Sequence, residues 1–150
     1  MNRWLTLIGF LVVVIGGGLT IGYVTAPGEW YAGLAKPWFT PPGWVFGAVW
    51  TLLYVLIAVA GWRIFVSAPR SWSMGLWWVQ LGLNFLWSPV FFAAHRVELA
   101  LVVILLLMST ILAFIAVAWR YHREAAWMFL PYTAWVAFAS VLNGSIWVLN

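Results

Sequence analysis

Three side-chain amides interrupt otherwise apolar runs of this chain: Gln80, Asn84 and Asn143. An amide left unsatisfied in hydrocarbon costs several kcal/mol, so each needs a partner. Large rings recur beside them at helical spacing, namely Trp50 with Tyr54, Trp87 with Ser88, and Trp135 with Ala139. Indole offers a wide apolar face and a single N–H donor. Aromatic walls with a few fixed polar groups are the chemistry of a pocket for a flat apolar ligand. The alternative is interhelical hydrogen bonding, worth about 0.6 kcal/mol per bond.

Residues for bond-making chemistry are missing, so no catalytic residue is predicted. There is no carboxylate pair, no Ser/His/Asp arrangement and no phosphate-binding loop. The chain has no cysteine, which excludes disulfides and thiolate metal sites. His95 and His122 fall at opposite ends of the predicted spans, so no joint metal site is expected and no cofactor is required. His95 is read either as a partner for a ligand's acid group or iron, or as a hydrated loop histidine. Ion-coupled transporters keep ionisable groups at depth, and none of the ten charges here is mid-span. The charges are scattered singly with no basic stripe, which excludes nucleic acid as a partner.

What must position the amides and rings is a set of membrane helices. The chain is 66% hydrophobic and 7% charged, against roughly a quarter charged in a soluble domain. The bilayer is therefore its solvent and first partner. Runs of about 20 apolar residues fit five times, at about 4–24, 43–66, 73–94, 98–118 and 125–148. The expectation is one all-α domain over residues 1–150, a five-helix transmembrane bundle. The first run exceeds a signal peptide's apolar core of about 7–15 residues, so it is read as a span. Five spans put Arg3, Arg63, Arg70, Arg120 and Arg123 on one side, with Lys36 and Arg96 on the other. The excess of Lys/Arg in cytoplasmic loops then predicts a cytoplasmic N-terminus and a C-terminus opposite. The inner membrane is the physical default for a helical bundle, with the outer membrane left open. One connection is long, 25–42, with four prolines among Trp30, Tyr31, Trp38 and Phe39. It is either a stiff aromatic lid or a belt of rings at headgroup level.

Helical rotation gathers the unusual residues. Gly43, Phe46, Trp50, Tyr54, Ile57 and Gly61 share a face of the second span; Trp77, Gln80, Asn84, Trp87 and Ser88 share one on the third. On the fifth, Tyr132, Trp135, Ala139 and Asn143 do. Counting residues inward puts Trp50, Asn84, Trp87 and Asn143 roughly 8–15 Å below the surface that carries the aromatic connection. Trp135 is deeper and is expected as a floor. Gly75, Val79, Gly82 and Leu86 form a small, smooth opposite face on the third span and predict a homodimer interface. The competing motif is Gly18-x-x-x-Gly22, which seats the first span either in another subunit or within its own bundle.

Three stretches, KPWFTPPGWVFGAVWTLLYVLIAVAGW (36–62), WWVQLGLNFLWSPVFF (77–92) and PYTAWVAFASVLNGSIWVLN (131–150), closely resemble the TspO/translocator protein family. Its members are also called tryptophan-rich sensory proteins and peripheral benzodiazepine receptors. The resemblance covers essentially the whole chain and is nearest to the photosynthetic-proteobacterial type. It implies a dimeric five-helix bundle that binds tetrapyrroles such as protoporphyrin IX and haem, sterols and benzodiazepine-type drugs. It implies a part in moving tetrapyrroles or regulating their synthesis in response to light and oxygen. The family's pocket residues match at Trp50, Tyr54, Asn84, Trp87, Ser88, Trp135 and Ala139, with Tyr31 and Trp38 in the connection; Phe46 and Asn143 come from rotation alone. The animal members' cholesterol motif needs Tyr followed by Arg or Lys, and Leu142-Asn143-Gly144-Ser145-Ile146-Trp147 has neither, which puts tight cholesterol binding in doubt.

Three functions therefore stand at this point. The first is a receptor or carrier for porphyrin-like ligands. The second is an enzyme that degrades protoporphyrin in light, and the third a scaffold whose rings only pack.

Overall fold

The computed structural model describes residues 2–150, which form six helices and no strands. Helix α1 runs Arg3–Val24 with a π turn at Val12–Gly16, and α2 is the short Glu29–Ala32. Then come α3 (Gly43–Ser67), α4 (Trp72–Ser88, continued as a π turn over Pro89–Ala93), α5 (Val97–Tyr121) and α6 (Arg123–Leu149). Four of them, α1, α3, α5 and α6, are long and apolar enough to cross a membrane. Helix α4 has 17 residues before its regular turns give way at Pro89. Proline has no N–H to donate and its ring crowds the preceding turn, so the ladder is re-registered there.

The expected five helices joined by one long loop need correcting on this point. The 25–42 connection contains α2, a single helical turn between Pro27 and Pro37. Glu29 stands in its first turn, where a carboxylate is favoured by the helix dipole. Two other helix starts are capped by side chains: Asn2 Oδ1 accepts from the Trp4 N–H at 3.0 Å, and Ser71 Oγ from the Met74 N–H at 3.2 Å.

The main core lies between α3, α4, α5 and α6, with Phe10 and Val14 of α1 packed into it. Phe114 of α5 meets Phe129 of α6 with ring centroids 4.1 Å apart. Trp77 is fully buried, and its Nε1 donates to the Ile57 carbonyl at 2.9 Å. Gly61 makes room for that ring, since a Cβ there would lie 2.3 Å from it. Gly18 plays the same part toward Tyr54, again with a Cβ position at 2.3 Å. Gly18 thus seats α1 against its own bundle, while Gly22 of the same motif meets nothing within the protomer.

Outward faces are apolar, for example Leu99, Val102, Leu105, Leu106 and Leu112 along α5. Exposed hydroxyls on these faces are satisfied inside the helix. Thr20, Thr51, Ser109, Thr110 and Ser145 each donate to the carbonyl four residues back, at 2.7–2.9 Å. That arrangement leaves none of these five hydroxyls needing water, as a lipid-facing surface requires. At one end of the bundle Arg63 pairs with Glu124, and Trp62 Nε1 donates to the Arg3 carbonyl at 3.0 Å. Arg3, Arg63 and Arg123 therefore share an end, as span counting predicts.

Candidate functional site

A cavity of about 630 Å³ opens at the other end, between α1, α3, α4, α6 and the 25–42 connection. That lies within the roughly 300–1,000 Å³ typical of small-molecule pockets. Each wall follows from a helix face. Helix α3 turns Phe46, Trp50 and Tyr54 inward at i, i+4 spacing. The Trp50 and Tyr54 rings stack on each other with centroids 5.5 Å apart. Helix α4 contributes Asn84, Trp87 and Ser88, and α6 contributes Ala139 and Asn143. Helix α1 closes the remaining side with Gly18, against which the Tyr54 ring packs, and Gly22, whose missing side chain leaves open space.

The polar groups in the walls are held by their neighbours. Asn143 is buried; its Nδ2 donates to the Val97 carbonyl at 3.0 Å, and its Oδ1 accepts from Trp87 Nε1 at 3.0 Å. Trp87 is thereby fixed in orientation. Asn84 Nδ2 donates to the Tyr132 hydroxyl at 2.7 Å, and that hydroxyl donates on to Gln80 Oε1 at 2.9 Å. Tyr54 OH donates to Asn84 Oδ1 at a long 3.4 Å. The Thr25 hydroxyl donates to the Ile21 carbonyl at 2.7 Å, so Ser88 Oγ, 2.6 Å away, is the donor in the Ser88–Thr25 pair. Interhelical bonding and wall-lining are therefore combined in the same amides.

The connection covers the cavity and is tied down at several points. The Trp30 ring stacks on His95 with centroids 4.1 Å apart, and Phe39 meets Phe138 edge-on at 6.2 Å. Asn150 brackets Ala35 with two hydrogen bonds, 3.0 Å from its N–H and 2.9 Å to its carbonyl. His95 is the one non-glycine residue with positive φ among the described residues, at 55°, which turns the chain sharply between α4 and α5. Tyr31 lines the cavity and packs edge-on against Phe92 at 5.3 Å. Burial pushes its phenol above the ordinary value of 10.0. Among the described residues Lys36 is the only charged side chain in the lining; its Nζ donates to the Leu34 carbonyl at 3.1 Å and sits 4.5 Å from the centre of the Tyr31 ring.

The predicted residues thus divide. Tyr31, Phe46, Trp50, Tyr54, Asn84, Trp87, Ser88, Ala139 and Asn143 come together around one space. Trp38 and Trp135 do not. Trp38 is 94% exposed, because the turn closed by Thr40 N–H to the Pro37 carbonyl directs it outward. Trp135 packs behind the wall, edge-on to Phe46 at 5.5 Å and to Trp50 at 6.5 Å, and its buried Nε1 has no partner. At about 100° per residue it stands roughly 80° around α6 from Asn143, enough to turn it toward α3. The predicted floor is therefore misplaced. The reading of the sequence also missed Gly18 and Gly22, whose spacing pointed only to close helix packing, and Lys36, which carried no local signal of depth.

Comparison with known proteins gives one consistent result. The profile of the TspO/MBR family matches residues 10–148. Protein CrtK of Rhodobacter capsulatus is 34% identical over 97% of this chain and 94% of its own. The tryptophan-rich protein TspO of Archaeoglobus fulgidus is 38% identical over 97% of both chains. The human translocator protein is 37% identical over 96% of this chain and 89% of its own.

Proposed function

The chain belongs to the TspO/MBR family of membrane proteins, and on that footing we propose that it is a receptor or carrier for tetrapyrroles such as protoporphyrin IX and haem. One observation carries the reading. The cavity of about 630 Å³ has the stacked pair Trp50–Tyr54 and the oriented ring of Trp87 in its walls, with amides fixed between them. A flat ligand stacks on these rings, each contributing about 0.5–1.5 kcal/mol beyond its burial. Asn84 and Ser88 orient its polar edge, while Tyr31 and Lys36 close over its mouth.

The membrane arrangement completes the proposal. Helix α4 and its π turn, 17 and 5 residues, act together as a fifth span. The N-terminus is cytoplasmic, on the side of Arg3, Arg63 and Arg123, and the cavity faces the opposite side. Gly75, Val79, Gly82 and Leu86 are all exposed on α4 and meet their counterparts in a homodimer. The membrane is the inner one of a bacterium.

Titration with protoporphyrin IX in the dark, read by tryptophan quenching, tests this. Saturable quenching is expected, and Trp50→Phe should weaken it about threefold to tenfold. Trp135→Phe should weaken it less, since that ring only backs the wall, and Trp72→Phe, at the far end and 84% exposed, should not. Linear quenching in every form would mean partitioning into detergent and would leave the rings as packing only.

A further inference from the structure

A second cleft, of about 700 Å³, lies at the other end of the bundle between the start of α1, the end of α3 and the α5–α6 turn. Three guanidinium groups line it, those of Arg3, Arg63 and Arg123, against the single carboxylate of Glu124. Arg63 already pairs with Glu124. Among the described residues neither Arg3 nor Arg123 has a carboxylate partner; Arg123 rests over the Trp119 ring, 5.4 Å from its centre. The lining thus holds two unneutralised positive charges. The first turn of α6 also faces the cleft at Arg123, Glu124 and Ala125, and no side chain caps it.

These groups match a phosphate. Guanidinium forks bind phosphate oxygens in pairs, and free N–H groups at a helix start add donors of the right sign. Trp62 and Val66 form an apolar wall, and the Trp62 bond to the Arg3 carbonyl keeps α1 against α3. Trp4 and Leu5 lead away from the cleft along the bundle's outside, 71% and 65% exposed. A charged head with an apolar tail fits that sequence of surfaces better than a free ion does. Orientation by positive charge alone would need no shaped cleft, and Arg70 and Arg120, which do not line it, already supply charge at this end.

We propose that this cleft binds the phosphate headgroup of an anionic phospholipid, at a site separate from the aromatic cavity. The test is native mass spectrometry of the full-length protein exchanged into phosphatidylcholine with phosphatidic acid as the probe. Preferential retention of phosphatidic acid is expected. Arg3→Gln and Arg123→Gln should each reduce it about fivefold or more. Arg3→Lys, which keeps the charge and loses the fork, should fall between. Arg70→Gln and Arg120→Gln should leave it unchanged, and unaltered circular dichroism confirms folding throughout. Equal retention of phosphatidylcholine, or equal loss in the Arg70 and Arg120 variants, would overturn the site. Inorganic phosphate that displaces the lipid at equal concentration would overturn the lipid assignment.

Discussion

Gly18→Ala against Gly22→Ala isolates the wall that α1 gives the aromatic cavity. Both glycines line it, one turn apart on the same helix. A Cβ at Gly18 would stand 2.3 Å from Tyr54 Cε2 and 2.5 Å from Cζ, whereas at Gly22 it would meet nothing within 4 Å. Ordinary contact begins at 3.4 Å, so the Tyr54 ring must retreat by about 1.1 Å. The retreat disturbs its stack on Trp50 and its long bond to Asn84. Overpacking of this size costs about 1–3 kcal/mol. Both substitutions also remove a helical glycine, which favours the folded state by roughly 0.5–1 kcal/mol. That gain is common to the two, so their difference is the clash alone.

Gly22→Ala is expected to be neutral or stabilising. Gly18→Ala should unfold more readily by about 1–3 kcal/mol relative to it, and should weaken protoporphyrin quenching about tenfold. Thermal unfolding in detergent and the dark titration read the two effects. If the two variants behave alike in both assays, Tyr54 is not held by α1 and this wall of the cavity is wrongly described.

Two further outcomes follow from other contacts. Trp87→Phe removes the donor to Asn143 Oδ1, and the buried acceptor it leaves should lower stability by about 1–3 kcal/mol in the same unfolding assay, with a weaker protoporphyrin titration. Gly82→Trp, placed where a Cβ meets nothing within the protomer, should leave the fold intact and break the proposed homodimer, read as a shift of mass in detergent from dimer to monomer; a dimer unchanged by the substitution would move the interface off this face of α4.

Much of this architecture was legible in the chain. Apolar runs of about 20 residues mark spans whatever their neighbours, because lipid demands it of each helix separately. Rotation by 100° per residue placed Trp50, Tyr54, Asn84, Trp87 and Asn143 on faces that the structure brings around one cavity. The 17-residue α4 was harder, since periodicity continues through Pro89 while the hydrogen-bond ladder does not. Trp135 failed for a related reason: it lies at the edge of its face, where rotation alone does not choose between cavity and neighbouring helix.

By itself, then, the sequence determined the solvent, the helical class, the sorting of charges to the two ends and the residue faces that carry amides and rings. These depend on composition and local period, which act within one helix. The tertiary structure alone decided which faces meet. It set Gly18 against Tyr54, gave Asn143 both Trp87 and Val97, and folded the connection over the cavity through Ala35 and Asn150, 115 residues apart. It also collected Arg3, Arg63 and Arg123 around one cleft. Such pairings are set by shape complementarity between distant segments, which leaves no periodic trace in either segment.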